Sequence, residues 1–280
     1  MSMFSGFRLL NGRTWALSVV LGGLVWMLAG CATAPGANPQ GASAPARDLV
    51  TDSDEPDGRR RARIRLELAV SYFEQGQTTV ALDELKQSLA ADPNFGPAYN
   101  LRGLVYMRLN DFRLAEDSFR RALALNATDS NTQHNLGWLM CQQARYNDAM
   151  PFFAQALANP QYGDRPKTLL IQGLCHIRAG QRALAEESLT RSYELDAGNP
   201  ITGYNLALLL YQRGELVRAQ FYIRRINNSE LANAESLWLG TKVEHRLGNR
   251  EAEEQLAGQL RRRFPQSPEA GQLERGAFND

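Results

Sequence analysis

A pattern that returns about every 34 residues restricts this chain more than any other feature. Small residues recur at Ala69, Gly103, Gly137, Gly173, Ala207 and Gly240, in steps of 34, 34, 36, 34 and 33. Three residues after each come Tyr72, Tyr106, Met140, His176, Leu210 and Val243. Twelve residues after the small position stands alanine every time, at Ala81, Ala115, Ala149, Ala185, Ala219 and Ala252. Four further on are Leu85, Phe119, Phe153, Leu189, Ile223 and Leu256. Offsets of three and four place such groups on one helical face. A small residue is needed where two antiparallel helices cross closely. The later alanine lets the second helix approach the first, and the large apolar residue one turn on fills the gap beside it. Turn signals fall between the two helices of a unit at Gln75-Gly76, Leu109-Asn110-Asp111, Ala179-Gly180, Arg213-Gly214 and Gly248-Asn249. Breaks between units carry Asp92-Pro93, Asn159-Pro160, Asn199-Pro200 and Phe264-Pro265, because proline suits a helix start and not its interior.

This pattern resembles the tetratricopeptide repeat (TPR) and runs from about residue 62 to 265. The resemblance implies an all-α, right-handed superhelical solenoid of six helical hairpins, with repeats starting near 62, 96, 130, 166, 200 and 233 inside a domain of residues 59–266. Two departures stand out. The third-to-fourth step holds two extra residues near Gln161-Tyr162-Gly163-Asp164, so that connection is longer. The sixth unit is one residue short, and Gln255, Gln259 and Arg261 to Arg263 make its second helix polar, as a terminal cap requires. Residues 267–280 are expected to be a C-terminal tail.

The N-terminus reads as an address. A basic stretch to Arg13 precedes an uncharged apolar run from Trp15 to Leu28, shorter than the roughly 20 residues of a bilayer-spanning helix. Leu28-Ala29-Gly30-Cys31 then resembles a bacterial lipobox, which implies a signal peptide over residues 1–30 and acylation of Cys31. One acyl chain holds only marginally, so two or three make a lasting anchor. Ala32 follows the cysteine in place of Asp, and the lipoprotein sorting rule then implies the periplasmic face of the outer membrane. Residues 31–58 are rich in Ala, Pro, Gly, Ser and Asp and read as a flexible tether spanning roughly 30 Å. The run Arg59-Arg60-Arg61-Ala62-Arg63-Ile64-Arg65 has two readings: contact with anionic lipid or cell wall, or a solvated first helical turn, which is preferred.

The chain carries 31 basic and 30 acidic side chains, and Arg8 and Arg13 are the only charges before Cys31, so the rest is nearly neutral. No concentrated basic face predicts nucleic-acid binding. His134, His176 and His245 lie in three different repeats without metal-ligand spacing, and no catalytic motif or phosphate-binding loop is present. The expectation is therefore a protein that binds proteins, with no catalytic residues, no metal, no cofactor and no small-molecule substrate. His176 fills the usual aromatic position of its repeat and reads as a packed core group.

Cys141 and Cys175 lie at similar heights on the first helices of neighbouring repeats, which pack side by side. In an oxidising periplasm they are expected to form a disulfide in preference to remaining two buried thiols, worth about 3–4 kcal/mol in the chain-entropy account. The first helices of such arrays line the concave face. The inward positions are Leu66, Val70 and Phe73; Asn100, Leu104 and Met107; His134 and Trp138; Leu170, Leu174 and Ile177; and Tyr204, Leu208 and Tyr211. Each could be open to a partner or packed against the next repeat. If open, they make a largely apolar groove suited to an amphipathic helix or extended peptide, with Trp138 and Tyr204 as anchors.

One stretch goes beyond the repeat consensus. Asn135-Leu136-Gly137-Trp138-Leu139-Met140-Cys141-Gln142-Gln143-Ala144-Arg145-Tyr146, followed by Ala149-Met150, Asn159-Pro160-Gln161-Tyr162 and Gly173-Leu174-Cys175, resembles the type IV pilus biogenesis and stability lipoprotein family. That family has six TPRs behind a lipobox, and this chain departs from it at Ala144, where glycine is more usual. The resemblance implies a pilotin that binds subunits of the outer-membrane secretin and promotes their delivery and multimerisation. The alternative is a TPR lipoprotein scaffold of another envelope assembly: tight-adherence pili, outer-membrane protein insertion, or cell-wall enzymes.

Overall fold

A computed structural model of the chain describes residues 54–278. The expected signal peptide, Cys31 and nearly all of the expected tether lie outside the described residues. Among the described residues there are thirteen helices and no strand. Twelve of them pair in sequence: α1 (Asp57–Glu74) with α2 (Thr78–Ala91), α3 (Gly96–Arg108) with α4 (Phe112–Leu125), and α5 (Ser130–Gln142) with α6 (Tyr146–Ala158). The series continues with α7 (Arg165–Arg178) and α8 (Arg182–Leu195), α9 (Pro200–Arg213) and α10 (Leu216–Asn227), then α11 (Ala234–Leu247) and α12 (Arg250–Arg263). Helix α13 (Pro268–Glu274) comes last.

Each hairpin is built on one close crossing. A Cβ added to Gly137 would lie 2.9 Å from Cε1 of Phe153, and one on Gly173 would lie 2.7 Å from Cγ of Leu189. Phe119, Phe153 and Leu189 are fully buried, so the small residue of the first helix and the large one of the second define each other's space. Between the paired helices the backbone turns through a left-handed residue at Gly76, Asn110, Ala144, Gly180, Gly214 and Gly248. At Ala144 that residue carries a Cβ with φ 59°. A left-handed alanine costs roughly 1–2 kcal/mol, so this turn is strained where the resemblance implies a glycine.

Helix starts obey the expected chemistry. Asp111 accepts the Leu114 amide at 3.0 Å, Asp129 the Thr132 amide at 3.2 Å, and Asn233 forms a reciprocal box with Ser236. Proline opens α3, α7, α9 and α13 in the first two positions. Pro151 breaks the rule by lying inside α6, where it forgoes a helical hydrogen bond.

Buried side chains form successive clusters along the stack instead of one central core. The last cluster corrects an expectation. The polar second helix of the sixth unit does not by itself close the array, and the expected C-terminal tail contains helix α13. Leu256, Ala257 and Leu260 of α12 keep an apolar side, and Ala270 and Leu273 of α13 pack in the same cluster with Leu237 and Trp238 of α11. The cap is α13, because Leu256 and Leu260 lie one helical turn apart and need cover.

Candidate functional site

Helices α1, α3, α5 and α7 contact one another in that order. Their inner sides enclose a concave cavity of about 500 Å³, lined by Phe73, Leu104, Met107, Arg108, Asn110, His134, Asn135, Trp138, Gln142 and Lys167. None of these residues is acidic. The Arg108 guanidinium lies 3.7 Å from the Phe73 ring centroid and donates to the Phe73 carbonyl oxygen. This fixes an aromatic wall at one end, a cation over its face. Trp138 is half-buried on α5, and Lys167 comes from the start of α7. On the floor, Asn135 donates to Asn100 at 2.9 Å, which occupies the amide group expected to face a partner.

His134 holds the junction of α5 and α7. It is 3 % exposed, its Nδ1 lies 2.8 Å from Oγ1 of Thr168, and its ring meets Phe153 edge-on at 6.3 Å. Burial, helped by the nearby Lys167 charge, lowers its pKa from 6.5 to about 4, against a small opposing pull from Asp164. The imidazole is therefore neutral at pH 7. Tyr162, supplied by the longer third connection, is buried and its hydroxyl lies 3.1 Å from the same Thr168 oxygen. The two-residue expansion thus brings a wedge into the junction. In the adjoining buried cluster Cys141 and Cys175 are joined by a disulfide, Cα atoms 5.8 Å apart, which ties α5 to α7.

The expected groove positions divide. Phe73, Leu104, Met107, His134 and Trp138 come together around the cavity, although Met107 and His134 are nearly covered by their neighbours. Leu66 packs into the first cluster, and Val70 is exposed beyond the cavity lining. Leu170 is buried, while Leu174 and Ile177 pack half-buried against the cluster of the fourth and fifth hairpins. Tyr204 and Leu208 are half-buried against that cluster. Burial raises the Tyr204 pKa, as do the charges of Glu235 and Glu269. Tyr211 is nearly buried, and it is covered by the C-terminal segment and Arg246 instead of facing the cavity. Its hydroxyl donates to the Phe278 carbonyl at 3.4 Å, and Arg246 lies over its ring.

Arg108, Lys167 and Phe278 did not figure among the expected groove residues. Arg108 sits one residue past Met107 and rotates onto the same face, a neighbour effect that a one-face reading passes over. The basic run on α1 is largely engaged within the chain: Arg59 pairs with Asp92, Arg60 with Asp57, Arg63 with Glu55 and Glu67, and Arg65 with Glu84. His176 is buried, its Nδ1 2.6 Å from Oε1 of Gln181. Among the described residues no group of three or more His, Cys, Asp or Glu is placed to hold a metal ion, and no helix is long and apolar enough to cross a membrane.

Comparison with known proteins gives the same architecture. The tetratricopeptide repeat family matches residues 66–130 and 100–166. The chain is 28 % identical over 251 residues to the type IV pilus assembly protein PilF of Pseudomonas aeruginosa, covering 88 % of this chain and 94 % of that protein. The crystal structure of PilW, described as a widely conserved type IV pilus biogenesis factor, superposes with a TM-score of 0.68 at 30 % identity, covering 76 % of this chain and 97 % of PilW. The structure of Pseudomonas aeruginosa PilF superposes with a TM-score of 0.70 at 27 % identity, covering 78 % and 99 %.

Proposed function

The chain belongs to the PilF and PilW family of type IV pilus biogenesis proteins with tetratricopeptide repeats, and from that premise we propose that it is a lipid-anchored pilotin. In this reading Cys31 carries the acyl anchor at the periplasmic face of the outer membrane. The solenoid recognises subunits of the type IV pilus secretin, and no covalent chemistry is involved. Holding a client on a tether raises its local concentration, which favours multimerisation without new contacts.

The observation that carries the reading is the open cavity across the first four hairpins. Its walls are apolar and aromatic, from Phe73, Leu104, Met107 and Trp138, and its charges are the cations Arg108 and Lys167. Such a surface suits an amphipathic helix or extended segment with apolar anchors and an acidic flank. Trp138 is the expected energetic centre, since a partly open aromatic in a concave site is the usual hot spot.

The test is the state of the secretin in a strain lacking this chain, read by outer-membrane fractionation and an unheated gel. Loss of multimers, with monomer left in the inner membrane, is the expected result. Trp138→Ala should reproduce it with the lipoprotein still in place, and Cys31→Ala should reproduce it by mislocalisation. Normal multimers in the outer membrane would overturn the pilotin role and leave a scaffold of another envelope assembly, its client to be found by crosslinking.

A further inference from the structure

We propose that the inner face of the last two hairpins is a second peptide-docking site, one that takes an aromatic side chain with an acidic flank, and that residues 276–278 of this chain occupy it in cis. The inference does not depend on which client the central cavity binds.

The occupant is delivered by a defined turn. Helix α13 ends with Gly276 at φ 65°, where the Gly276 amide bonds the Leu273 carbonyl at 3.1 Å and the Ala277 amide the Gln272 carbonyl at 3.0 Å. This pair of bonds closes a helix and turns the chain back on itself. The Phe278 ring then stacks on His245 with centroids 4.0 Å apart and planes 15° from parallel, and lies 5.2 Å from the Trp238 ring. His245 is fixed from its other side, its Nδ1 lying 3.0 Å from Oε1 of Glu253.

The socket has a chemistry of its own. Its base is Trp238, 4 % exposed, with Tyr211 beside it. At its rim Lys242 lies 5.4 Å from the Trp238 ring and 5.6 Å from the Tyr211 ring, while Arg246 lies 4.9 Å from Tyr211. Aromatic walls beneath two cations recognise an aromatic residue with a carboxylate close to it on either side. The cis occupant has that composition, with Phe278 between Glu274 and Asp280 in sequence.

The occupant is also held lightly. Phe278 stays half-buried; its amide bonds the Gly276 carbonyl at 2.9 Å within the segment itself, and its carbonyl, among the described residues, is met by the Tyr211 hydroxyl at 3.4 Å, the long limit of a hydrogen bond. A site filled by a weakly held internal segment shows a reduced affinity for an outside ligand, in proportion to the fraction of time it is vacant. A partner with the same aromatic and acidic elements, held at high local concentration, displaces it.

The experiment uses the full chain, its Phe278→Ala variant, and a fluorescein-labelled peptide with the sequence of residues 271–280, with anisotropy as the readout. The variant should bind this peptide about tenfold more tightly than the unsubstituted chain, and neither should bind a peptide with alanine at 278. Should Phe278→Ala impair folding, Gly276→Ala serves instead. It strains the turn that delivers the ring, leaves the socket intact, and should raise affinity about fivefold. Equal binding by variant and parent, equal binding of both peptides, or no binding would overturn the proposal. So would a concentration-dependent dimer of the unsubstituted chain that Phe278→Ala abolishes, since the occupant would then be a second copy.

Discussion

Trp138 and Trp238 stand on first helices of the same repeat array, three hairpins apart, yet they meet different neighbours. Trp138 lines an open cavity rimmed by Arg108 and Lys167. Trp238 lies beneath Phe278 and Lys242 and is almost fully covered. The central inner face is reinforced from behind, by the disulfide and by the bonds among His134, Thr168 and Tyr162. The distal inner face is closed from the front, by a segment outside the repeat. A shared repeat geometry therefore supplies two kinds of surface, and the segments that interrupt or extend the repeat decide which is open.

The largest test of this contrast exchanges the two tryptophans' roles. Trp238→Ala should lower stability by about 3–5 kcal/mol, the usual cost of emptying a buried aromatic site, in a denaturant melt. Trp138→Ala should leave that melt nearly unchanged and instead weaken client binding by about 2 kcal/mol, or roughly thirtyfold. Similar losses of stability at both positions would erase the distinction between open and closed faces.

The disulfide comes next. Closing a loop with a sequence separation of 34 is worth about 3.7 kcal/mol in the chain-entropy account. Cys141→Ala with Cys175→Ala, or reduction of the parent protein, should lower the denaturant midpoint accordingly. Amide exchange should quicken in α5 and α7 more than in α11. Blocking thiols before mass spectrometry without reduction should show neither cysteine alkylated; two alkylated cysteines would remove the staple from this account.

Acid should act on the same central junction. The unfolded His134 binds its proton near pH 6.5 and the folded one only near pH 4, so the unfolded state holds more protons between those values. Its contribution is intact above pH 6.5 and is lost as pH falls toward 4, reaching about 3 kcal/mol. A His134→Gln variant should show a flatter stability profile over that window. An unchanged slope would mean that the junction accommodates a charged imidazole.

The smallest effect concerns the turn between α5 and α6. Ala144→Gly should raise stability by about 1 kcal/mol, because glycine adopts the left-handed backbone at φ 59° without steric penalty. A loss of stability would show that the alanine methyl makes a contact worth more than the strain.

Much of this architecture is legible in the chain itself. The recurrence of Gly103, Gly137 and Gly173, with Phe119, Phe153 and Leu189, locates the crossings because a periodic packing demand leaves a periodic trace. The proximity of Cys141 and Cys175 comes from the same period. The Ala144 turn is harder to see, since alanine carries no turn signal and its conformation is imposed by the five equivalent turns around it. What each inner position faces is not periodic. Met107 and Tyr211 occupy the same repeat position, yet one lines the open cavity and the other lies under Arg246 and Phe278. That difference depends on α13 and on the turn at Gly276, which belong to no repeat and have no counterpart against which to be compared.

The covalent tie between α5 and α7 has a mechanical consequence. A stack in which each hairpin grips mainly its neighbours behaves as a spring and unzips from its ends under load. A cross-link between the third and fourth hairpins divides that spring into two shorter ones, each able to flex or fray while the other keeps its shape. Tension arriving through the N-terminal side would pass across the cross-link from Cys141 to Cys175, so the residues between them cannot be drawn out while the hairpins on either side carry the load.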